Sequence, residues 1–371
     1  MKILVIAISG IGNLITFLPA LDLIKKKMPN SEVDFLVRGN GTKYVLLEDE
    51  RVNKIYENNS KNPLKFFKLL LKLRKEKYDA VITIYPSQGI YSAIIMWIMG
   101  GKLRIQYYMD YILKFLSSRV GGIYYNDKYN LGIIKKIHNM LVNKSLNVKE
   151  KHAVYLNINL VKELFDCINE KNKPVLHYYI TKDEIKFSEK FWNEYNLNDN
   201  FVIGIHPGTG KYPPFKRWNL NYWGELIKMI NEKYKNIKFL VFIGPFEDKY
   251  YNYFNNLNLN NNLIIIKGIN LRKSISLISK CNFFISADSG LSHCASLFKI
   301  PQITMFGPVD YNYIHPFSEN CKVVVPDNYK PFYIPHCGFI SKPYDCMKDL
   351  KPEKVFREFE EYLGKLNIKL I

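Results

Sequence analysis

Four residues suited to ligand binding lie close together in the last quarter of the sequence. Asp288, Ser289 and Gly290 follow the apolar segment 283–287, and His293 comes three residues later. The apolar segment predicts a strand, and the residues after Gly290 predict a short helix. Such a turn can hold a phosphate or a sugar, because the first N–H groups of a helix are unpaired and carry a partial positive charge. We therefore predict a ligand site here, with His293 either facing the same ligand or packing in the core.

The long loop of residues 206–218 is a second candidate for ligand binding. It follows an apolar strand and carries three cationic side chains. Thr209 and the backbone amides around it are typical of an anion-binding loop, in which Lys216 would neutralise a phosphate. The alternative is an ordinary exposed loop whose Trp218 covers the core. Its place after a strand, like that of Asp288, favours the binding loop.

Glu247 follows a third apolar strand, residues 238–243, in the sequence Gly-Pro-Phe-Glu. Its carboxylate could accept hydrogen bonds from a ribose or a base. It could equally stabilise the start of a helix, where the helix dipole favours a negative charge. The sequence supports both interpretations.

The first strand ends in a glycine-rich turn, residues 9–13, with the sequence Ser-Gly-Ile-Gly-Asn. Glycine lets a ligand approach the backbone closely, so Gly12 is a candidate binding residue; a purely structural tight turn is the alternative. A dinucleotide fingerprint would need a third glycine where Ile15 stands, and an acid where Arg38 ends the second strand. The sequence therefore argues against NAD binding.

All these residues follow strands in a chain that alternates apolar strands with amphipathic helices. That alternation predicts parallel sheets covered on both faces. It occurs twice, in residues 1–175 and 176–350, so we predict an α/β fold of two doubly wound, Rossmann-like domains, as suits a chain of 371 residues. A final helix in residues 351–371 is predicted to pack back on the N-terminal domain. Ligands bind at the carboxyl ends of strands in such sheets, so the turns described above should meet in a cleft.

The chain carries a formal charge of +19, from 53 Lys and Arg against 34 Asp and Glu. This excess predicts an anionic partner: a nucleotide, a phosphorylated glycan, a bilayer surface or nucleic acid. Nucleic acid is disfavoured, because no recognised nucleic-acid motif accompanies the charge. We interpret the densest cationic segments, residues 25–27 and 61–77, as solvated helix faces that either keep the protein soluble or attract a membrane or ligand.

Cysteines and apolar segments bear on the compartment and on cofactors. The six cysteines include no Cys-x-x-Cys pair, which indicates a reducing, cytoplasmic environment. Cys321, Cys337 and Cys346 are too widely spaced to indicate a metal site, and we expect free thiols and no metal. The apolar start of the chain is interrupted too early for a signal peptide. Residues 93–99 are far fewer than the roughly 20 of a membrane span, so they predict a buried helix or one that dips into a membrane.

Together, three groups of residues resemble glycosyltransferase family 9, the heptosyltransferases. These are the first turn with Leu18-Pro19-Ala20-Leu21, the loop ending in Lys216-Arg217-Trp218, and Asp288-Ser289-Gly290 with His293 followed by Phe306-Gly307-Pro308. The match runs through both halves of the chain in the same order and leaves about residues 100–180 uncovered.

The resemblance implies the GT-B architecture, two facing Rossmann-like domains with the nucleotide-sugar donor in the second and the acceptor in the first. Such enzymes need no metal or other cofactor and invert the anomeric carbon: an acceptor hydroxyl attacks it while the nucleoside diphosphate leaves. Lys216 and the amides around Thr209 and Ser289 would stabilise the leaving diphosphate. The donor-binding residues that the resemblance implies are Gly12, Thr209, Lys216, Glu247, Asp288, Ser289, Gly290 and His293.

One position departs from the family pattern. The family has an aspartate after the second glycine of the first turn, where it deprotonates the acceptor, and this chain has Asn13. An amide cannot take up a proton at neutral pH. Either a carboxylate such as Asp110 or Glu48 supplies the base, or Asn13 orients an acceptor that loses its proton late to solvent or donor phosphate, or the protein binds without turnover. We favour an active enzyme with a changed base, because the donor-side residues match.

The sequence thus predicts a cytoplasmic glycosyltransferase, peripheral on the inner membrane. It would move a heptose, with ADP-heptose the favoured donor, to a cell-surface glycan or a lipid-linked, lipopolysaccharide-type acceptor. Two alternatives stay open: a non-catalytic protein that binds nucleotide sugars or glycans, and a GT-B enzyme that uses UDP-sugars.

Overall fold

The structure is a computed structural model. It describes residues 1–60, 62–108, 132–149, 152–165, 173–209, 214–245, 247–257, 259, 261–335 and 338–370. The chain forms two compact units. The first comprises Met1–Tyr179, Asn312–Ile314 and Phe332–Lys342, and the second comprises Ile180–Tyr311, His315–Pro331 and Pro343–Ile371.

The first unit is built on parallel strands. They are β1 (Lys2–Ala7), β2 (Glu32–Val37), β3 (Lys54–Glu57), β4 (Ala80–Thr83), β5 (Leu103–Tyr107) and β6 (Lys144–Leu146). They form one six-stranded sheet in the order β3-β2-β1-β4-β5-β6. The central strand β1 pairs with both β2 and β4 and is fully buried from Ile3 to Ala7. Its unbroken apolar sequence is what a strand covered on both faces requires.

Helices cover this sheet within the described residues. They are α1 (Ile11–Ile15), α2 (Leu18–Lys27), α3 (Asn40–Leu46), α4 (Pro63–Lys75), α5 (Ile90–Met99), α6 (Gly132–Leu141) and α7 (Ala153–Lys162). Helices α4 and α5 bury their apolar sides in one cluster with β1, β2 and β4, while α2 and α7 pack against each other. The sequence predicts one helix over residues 14–27, but the structure breaks it after Ile15. Pro19 lies in the first turn of α2, where its missing N–H costs nothing.

The second unit repeats the same strand order. Its strands are β7 (Phe201–His206), β8 (Ile237–Phe242), β9 (Leu263–Ile266), β10 (Phe283–Ala287), β11 (Gln302–Met305) and β12 (Cys321–Val324). They pair in the order β12-β11-β10-β7-β8-β9, so β7 lies between β10 and β8 as β1 lies between β4 and β2. The remaining helices are α8 (Lys182–Glu194), α9 (Leu220–Lys233), α10 (Asp248–Asn255), α11 (Leu271–Ile278), α12 (Gly290–Ser296), α13 (Tyr311–Ile314) and α14 (Pro352–Lys365). Among the helices of the described ranges, none combines the length and the hydrophobicity of a membrane span.

The C-terminal helix α14 buries its apolar face within the second unit, against α9 and β12. The Phe359 ring packs edge-on against Phe283 with centroids 5.0 Å apart, and the Tyr234 hydroxyl donates to Glu360 at 2.5 Å. The sequence predicts packing on the N-terminal domain instead. The structure places the helix in the second unit, where its buried side packs on α9 and β12.

Candidate functional site

The second unit brings the carboxyl ends of three neighbouring strands to one edge of its sheet. The strands β10, β7 and β8 are adjacent, and they lead into the turns that carry Asp288, the loop after His206 and Glu247. Carboxyl ends of parallel strands are where α/β sheets bind ligands. We call the side chains of Lys216, Glu247, Asp288, Ser289 and His293, with His206, the carboxyl-edge cluster.

His206 links two of the predicted site residues. Its Nδ1 lies 2.9 Å from the Ser289 hydroxyl, and its Nε2 lies 3.7 Å from a Glu247 carboxylate oxygen. Burial lowers the pKa of His206 and the charge of Glu247 opposes that effect only in part, so the imidazole is neutral at neutral pH. The sequence gives no role to His206; its place at the end of β7, beside β10, is the signal that could have predicted one.

Glu247 is held by the backbone of its own loop. One of its oxygens accepts a hydrogen bond from the Gly244 N–H at 2.7 Å. A Cβ atom on Gly208 would lie 1.6 Å from the other oxygen, so only glycine leaves room for the carboxylate. Glu247 immediately precedes α10 and makes no side-chain capping hydrogen bond there. The geometry therefore favours a carboxylate placed against the 206–209 loop over a helix-capping one.

Lys216 and Asp288 form an ion pair, with 2.5 Å between Nζ and Oδ2. Their side chains are only 15% and 8% exposed, so the pair is largely removed from water. A buried pair of this kind loses solvation that its mutual attraction only partly returns. The sequence predicts that Lys216 neutralises a phosphate and that Asp288 holds a sugar or phosphate. The structure shows both side chains engaged with each other, so a ligand would meet an ammonium already fixed in place.

His293 is buried one helical turn after the Asp288 turn, and its Nδ1 atom has no hydrogen-bond partner in the described part of the chain. Burial lowers its pKa to about 3, helped by the nearby charges of His315 and Lys216. A buried polar atom without a partner costs about 1–3 kcal/mol. A core histidine would have satisfied that atom, so the geometry favours the ligand-facing interpretation.

Thr209 presents the same feature on the neighbouring loop. Its hydroxyl oxygen is buried and has no hydrogen-bond partner among the described residues. The Ser289 side chain, in contrast, is occupied by His206 and makes no capping bond to α12, which starts at Gly290. Thr209 and His293 therefore each contribute an unsatisfied polar atom to this sheet edge.

The first unit holds Gly12 and Asn13 on the short helix α1. Gly12 is buried and Asn13 is partly exposed. The Asn13 backbone oxygen accepts from the Thr16 hydroxyl at 2.8 Å, while its amide side chain makes no hydrogen bond to any described residue. Of the other two acids considered as bases, Glu48 is exposed with φ +63° just after α3, and Asp110 lies outside the described residues.

Sequence reasoning missed two polar residues at the end of β4. The hydroxyl of Ser87 and the side-chain oxygen of Gln88 are buried without partners within the described ranges, as is the Ser9 hydroxyl after β1. Strands β1 and β4 are neighbours, so these atoms lie past the same edge of the first sheet. The turn-forming sequence Pro-Ser-Gln-Gly at residues 86–89 could have indicated this second polar edge.

No group of three His, Cys, Asp or Glu side chains is arranged to hold a metal ion in the described part of the chain. Cys281 and Cys294 are buried, and burial raises the pKa of both thiols. They are structural side chains, since a thiol of raised pKa is a poor nucleophile and a poor metal ligand.

The profile of glycosyltransferase family 9 (heptosyltransferase) matches residues 128–332. That span covers more than half of the 371 residues and includes the whole carboxyl-edge cluster. The chain belongs to this family. As a family 9 member it is a glycosyltransferase, which confirms the resemblance found in the sequence.

Curated and solved relatives extend the match over the full length. Lipooligosaccharide heptosyltransferase 2 of Campylobacter jejuni is 25% identical over 97% of this chain and 99% of its own. The solved ADP-heptose LPS heptosyltransferase II of Escherichia coli superposes with a TM-score of 0.71 at 18% identity, covering 99% of this chain and 100% of that one. An E. coli heptosyltransferase solved with ADP superposes with a TM-score of 0.67 at 17% identity. That match covers 98% of this chain and 100% of the solved one. These structures share the fold and confirm the predicted α/β, GT-B class.

Proposed function

We propose that this family 9 glycosyltransferase moves a heptose from ADP-heptose to a lipopolysaccharide-type acceptor, with inversion at the anomeric carbon and without a metal. The names of its relatives support the sugar and the acceptor, and the ADP in one solved relative supports the nucleotide. The observation that carries the proposal is the sheet edge itself. It combines a fixed Lys216–Asp288 pair with the unsatisfied polar atoms of Thr209 and His293.

The donor side supplies electrostatic stabilisation. As the acceptor oxygen bonds to the anomeric carbon, the bond to the diphosphate oxygen breaks and its electron pair leaves with the diphosphate. Lys216 meets this growing negative charge as a preorganised cation, and the Thr209 hydroxyl donates to a phosphate oxygen. His293, neutral because it is buried, can donate to or accept from the sugar. Glu247, held beside Gly208, accepts from the hydroxyls of the nucleoside.

The acceptor side supplies the base. The proton of the attacking hydroxyl must pass to another group, and the Asn13 amide cannot hold it. A carboxylate of the first unit, Asp110 or Glu48, takes that role in our proposal, while Asn13 orients the hydroxyl through its unoccupied amide. The buried polar atoms of Ser9, Ser87 and Gln88 are suited to the hydroxyl groups of a glycan.

The cytoplasm is the compartment that we propose for the reaction. The cysteines of the described residues, 281, 294, 321 and 346, are free thiols. Free thiols fit a reducing environment, where disulfides are rare.

A panel of nucleotides tests the donor assignment. Because a ligand stabilises the state that binds it, ADP at about 100 times its Kd should add about 2.7 kcal/mol to the free energy of unfolding. We expect thermal shifts in the order ADP-heptose, ADP, then UDP. If no nucleoside diphosphate shifts the melting temperature, the donor site is misplaced. If UDP-sugars raise the melting temperature most, the donor nucleotide carries uracil instead of adenine.

Turnover separates the enzyme from a non-catalytic binding protein. Purified protein mixed with ADP-heptose and a truncated lipopolysaccharide acceptor should release ADP and produce an acceptor heavier by one heptose, as seen by mass spectrometry. Donor binding without ADP release or transfer would favour the binding protein.

Asn13→Asp should preserve transfer or raise kcat up to about tenfold, because it restores a carboxylate where the family has one. The measurement is the initial rate of ADP release at saturating donor. Asn221→Asp, which adds the same charge at an exposed position of α9, is the matched control and should leave the rate unchanged. Loss of transfer in Asn13→Asp with an unchanged melting temperature would show that the amide itself is indispensable.

A further inference from the structure

Helices α4, α5 and α6 of the first unit expose an unusual amount of apolar side chain. Among the described residues, eight of the fifteen exposed large apolar side chains lie on these three helices. Six of them form one surface, which we call the apolar face: Leu64, Phe67 and Leu71 on α4, with Tyr91, Ile94 and Trp97 on α5. Their exposed fractions run from 41% to 70%. Single exposed apolar residues are ordinary, but a contiguous group indicates an interaction site.

The packing of the helices makes the group contiguous. Leu70 and Leu73 of α4 are buried in the same cluster as Ile95 and Met96 of α5. The two helices therefore lie side by side on one face of the sheet, and the sides opposite that cluster point outward together. The Arg74 guanidinium donates to the Ile98 carbonyl oxygen at 2.8 Å and joins the two helix ends. Helix α6 packs on the far side of α5 and adds Met140, which is 79% exposed.

The charged residues within the helices that form the apolar face all carry one sign of charge. Helix α4 has four exposed lysines and Arg74, and none of the helices α4, α5 and α6 contains an Asp or Glu. The lysines at 65, 68, 72 and 75 alternate along α4 with the exposed apolar positions. The sequence predicts a solvated helix face here, which either keeps the protein soluble or attracts a membrane or ligand. A face that only keeps the protein soluble does not need Leu64, Phe67 and Leu71 on the outside.

We infer that the apolar face lies on an anionic lipid bilayer, with its aromatic and aliphatic side chains at the headgroup level and its lysines on the phosphates. An interfacial helix binds a membrane by this combination of buried apolar area and basic flanks. Trp and Tyr favour the membrane interface, and each nearby Lys or Arg adds attraction to anionic lipid. Helix α4 has 13 residues and α5 has 10, both shorter than the roughly 20 of a span, so these two helices would meet the bilayer at its surface.

Charge argues against a second copy of the chain as the occupant. A twofold dimer over this face would set the lysines of one α4 against those of the other, with no acid in these helices to pair with them. A bilayer containing phosphatidylglycerol presents the opposite charge over the whole area.

Vesicle sedimentation of the full chain tests the inference without any nucleotide sugar, so its outcome is independent of the proposed reaction. Binding is measured to phosphatidylcholine vesicles and to vesicles with about one third phosphatidylglycerol, at low and high salt. We expect binding to the anionic vesicles only, weakened by salt. Lys65→Ala, Lys68→Ala and Lys72→Ala combined, and separately Leu64→Ser, Phe67→Ser and Trp97→Ser combined, should each weaken it at least about tenfold.

A control set removes three exposed lysines from the second unit, Lys186→Ala, Lys190→Ala and Lys228→Ala, and should bind as the unchanged chain does. Unchanged melting temperatures confirm that the variants fold, which the exposure of every replaced side chain favours. Equal binding to neutral vesicles, or full binding by the apolar variant, overturns the inference. A dimer in light scattering that the apolar variant converts to a monomer also overturns it, in favour of a second copy.

Discussion

Lys216→Ala should lower kcat/KM for heptose transfer by about 10²–10³-fold, a size typical for removing one group that stabilises a leaving anion. The variant loses the cation next to the diphosphate. It also leaves the Asp288 carboxylate, which is 8% exposed, without its ion-pair partner. An unpaired buried carboxylate repels a diphosphate, so donor binding should weaken together with the chemical step.

A second substitution separates these two effects. In the Lys216→Ala background, Asp288→Asn removes the unpaired negative charge and should recover much of the donor affinity, while kcat stays low. Lys322→Ala is the matched control, because Lys322 forms a partly buried ion pair with Glu358 elsewhere in the same unit. Its kcat/KM should stay within about threefold of the unchanged enzyme. Full activity in Lys216→Ala would remove Lys216 from the reaction.

Gly208→Ala should weaken donor binding by about a hundredfold. The new methyl group would lie 1.6 Å from a Glu247 oxygen, so the carboxylate must move away. It would then lose the hydrogen bond from the Gly244 N–H and its approach to His206. We expect a loss of about 1–2 kcal/mol in the free energy of unfolding from that hydrogen bond, in addition to the loss of nucleoside contact. Isothermal titration with ADP measures the binding, and thermal unfolding measures the stability.

Two further variants test whether displacement of the Glu247 carboxylate causes the losses in ADP binding and stability. Glu247→Ala alone loses the same hydrogen bond from the Gly244 N–H without any added methyl group, so it should weaken ADP binding and lower the melting temperature about as much as Gly208→Ala does. Combining the two substitutions should add little to either loss, because both act through the Glu247 carboxylate. Gly364→Ala is the control for the added methyl group, since nothing lies within 4 Å of the point in α14 that its Cβ atom would occupy. In that helix alanine should stabilise slightly, by about 0.5–1 kcal/mol. Unchanged ADP affinity in Gly208→Ala would separate Glu247 from donor binding.

The long apolar strands were predictable because they are buried on both faces, and the strands that the sequence missed lie nearer the sheet margins. Strand β3, with the sequence Lys-Ile-Tyr-Glu, is at one edge and only partly buried. Strand β6, at the other edge, has three residues. Neither is long or apolar enough to show a period, so their place depends on pairing with β2 and β5, which only the folded sheet supplies.

In the candidate site, too, some features could be predicted from the sequence and others could not. Asp288 and Thr209 were predictable, since each follows a strand and stands in a turn sequence. The ion pair of Lys216 with Asp288 joins residues 72 positions apart, and the contact of Glu247 with Gly208 joins two different loops. Both depend on β7 lying between β8 and β10. The exposure of the Phe67 and Trp97 side chains could not be predicted from the sequence either, because hydrophobicity alone assigns such residues to a core.

The burial of His206 and His293 has a consequence for the pH–rate profile. Burial keeps both imidazoles neutral at pH 7 and above, because it lowers the pKa of each, that of His293 to about 3. Neither ring can therefore contribute a titration step to transfer on the alkaline side of neutrality. A rise in rate over that range would follow deprotonation of the attacking hydroxyl or of its base. The burial of these two histidines thus excludes them as the source of any alkaline rise in the rate, and leaves the proposed acceptor hydroxyl and its base as the groups to test by substitution.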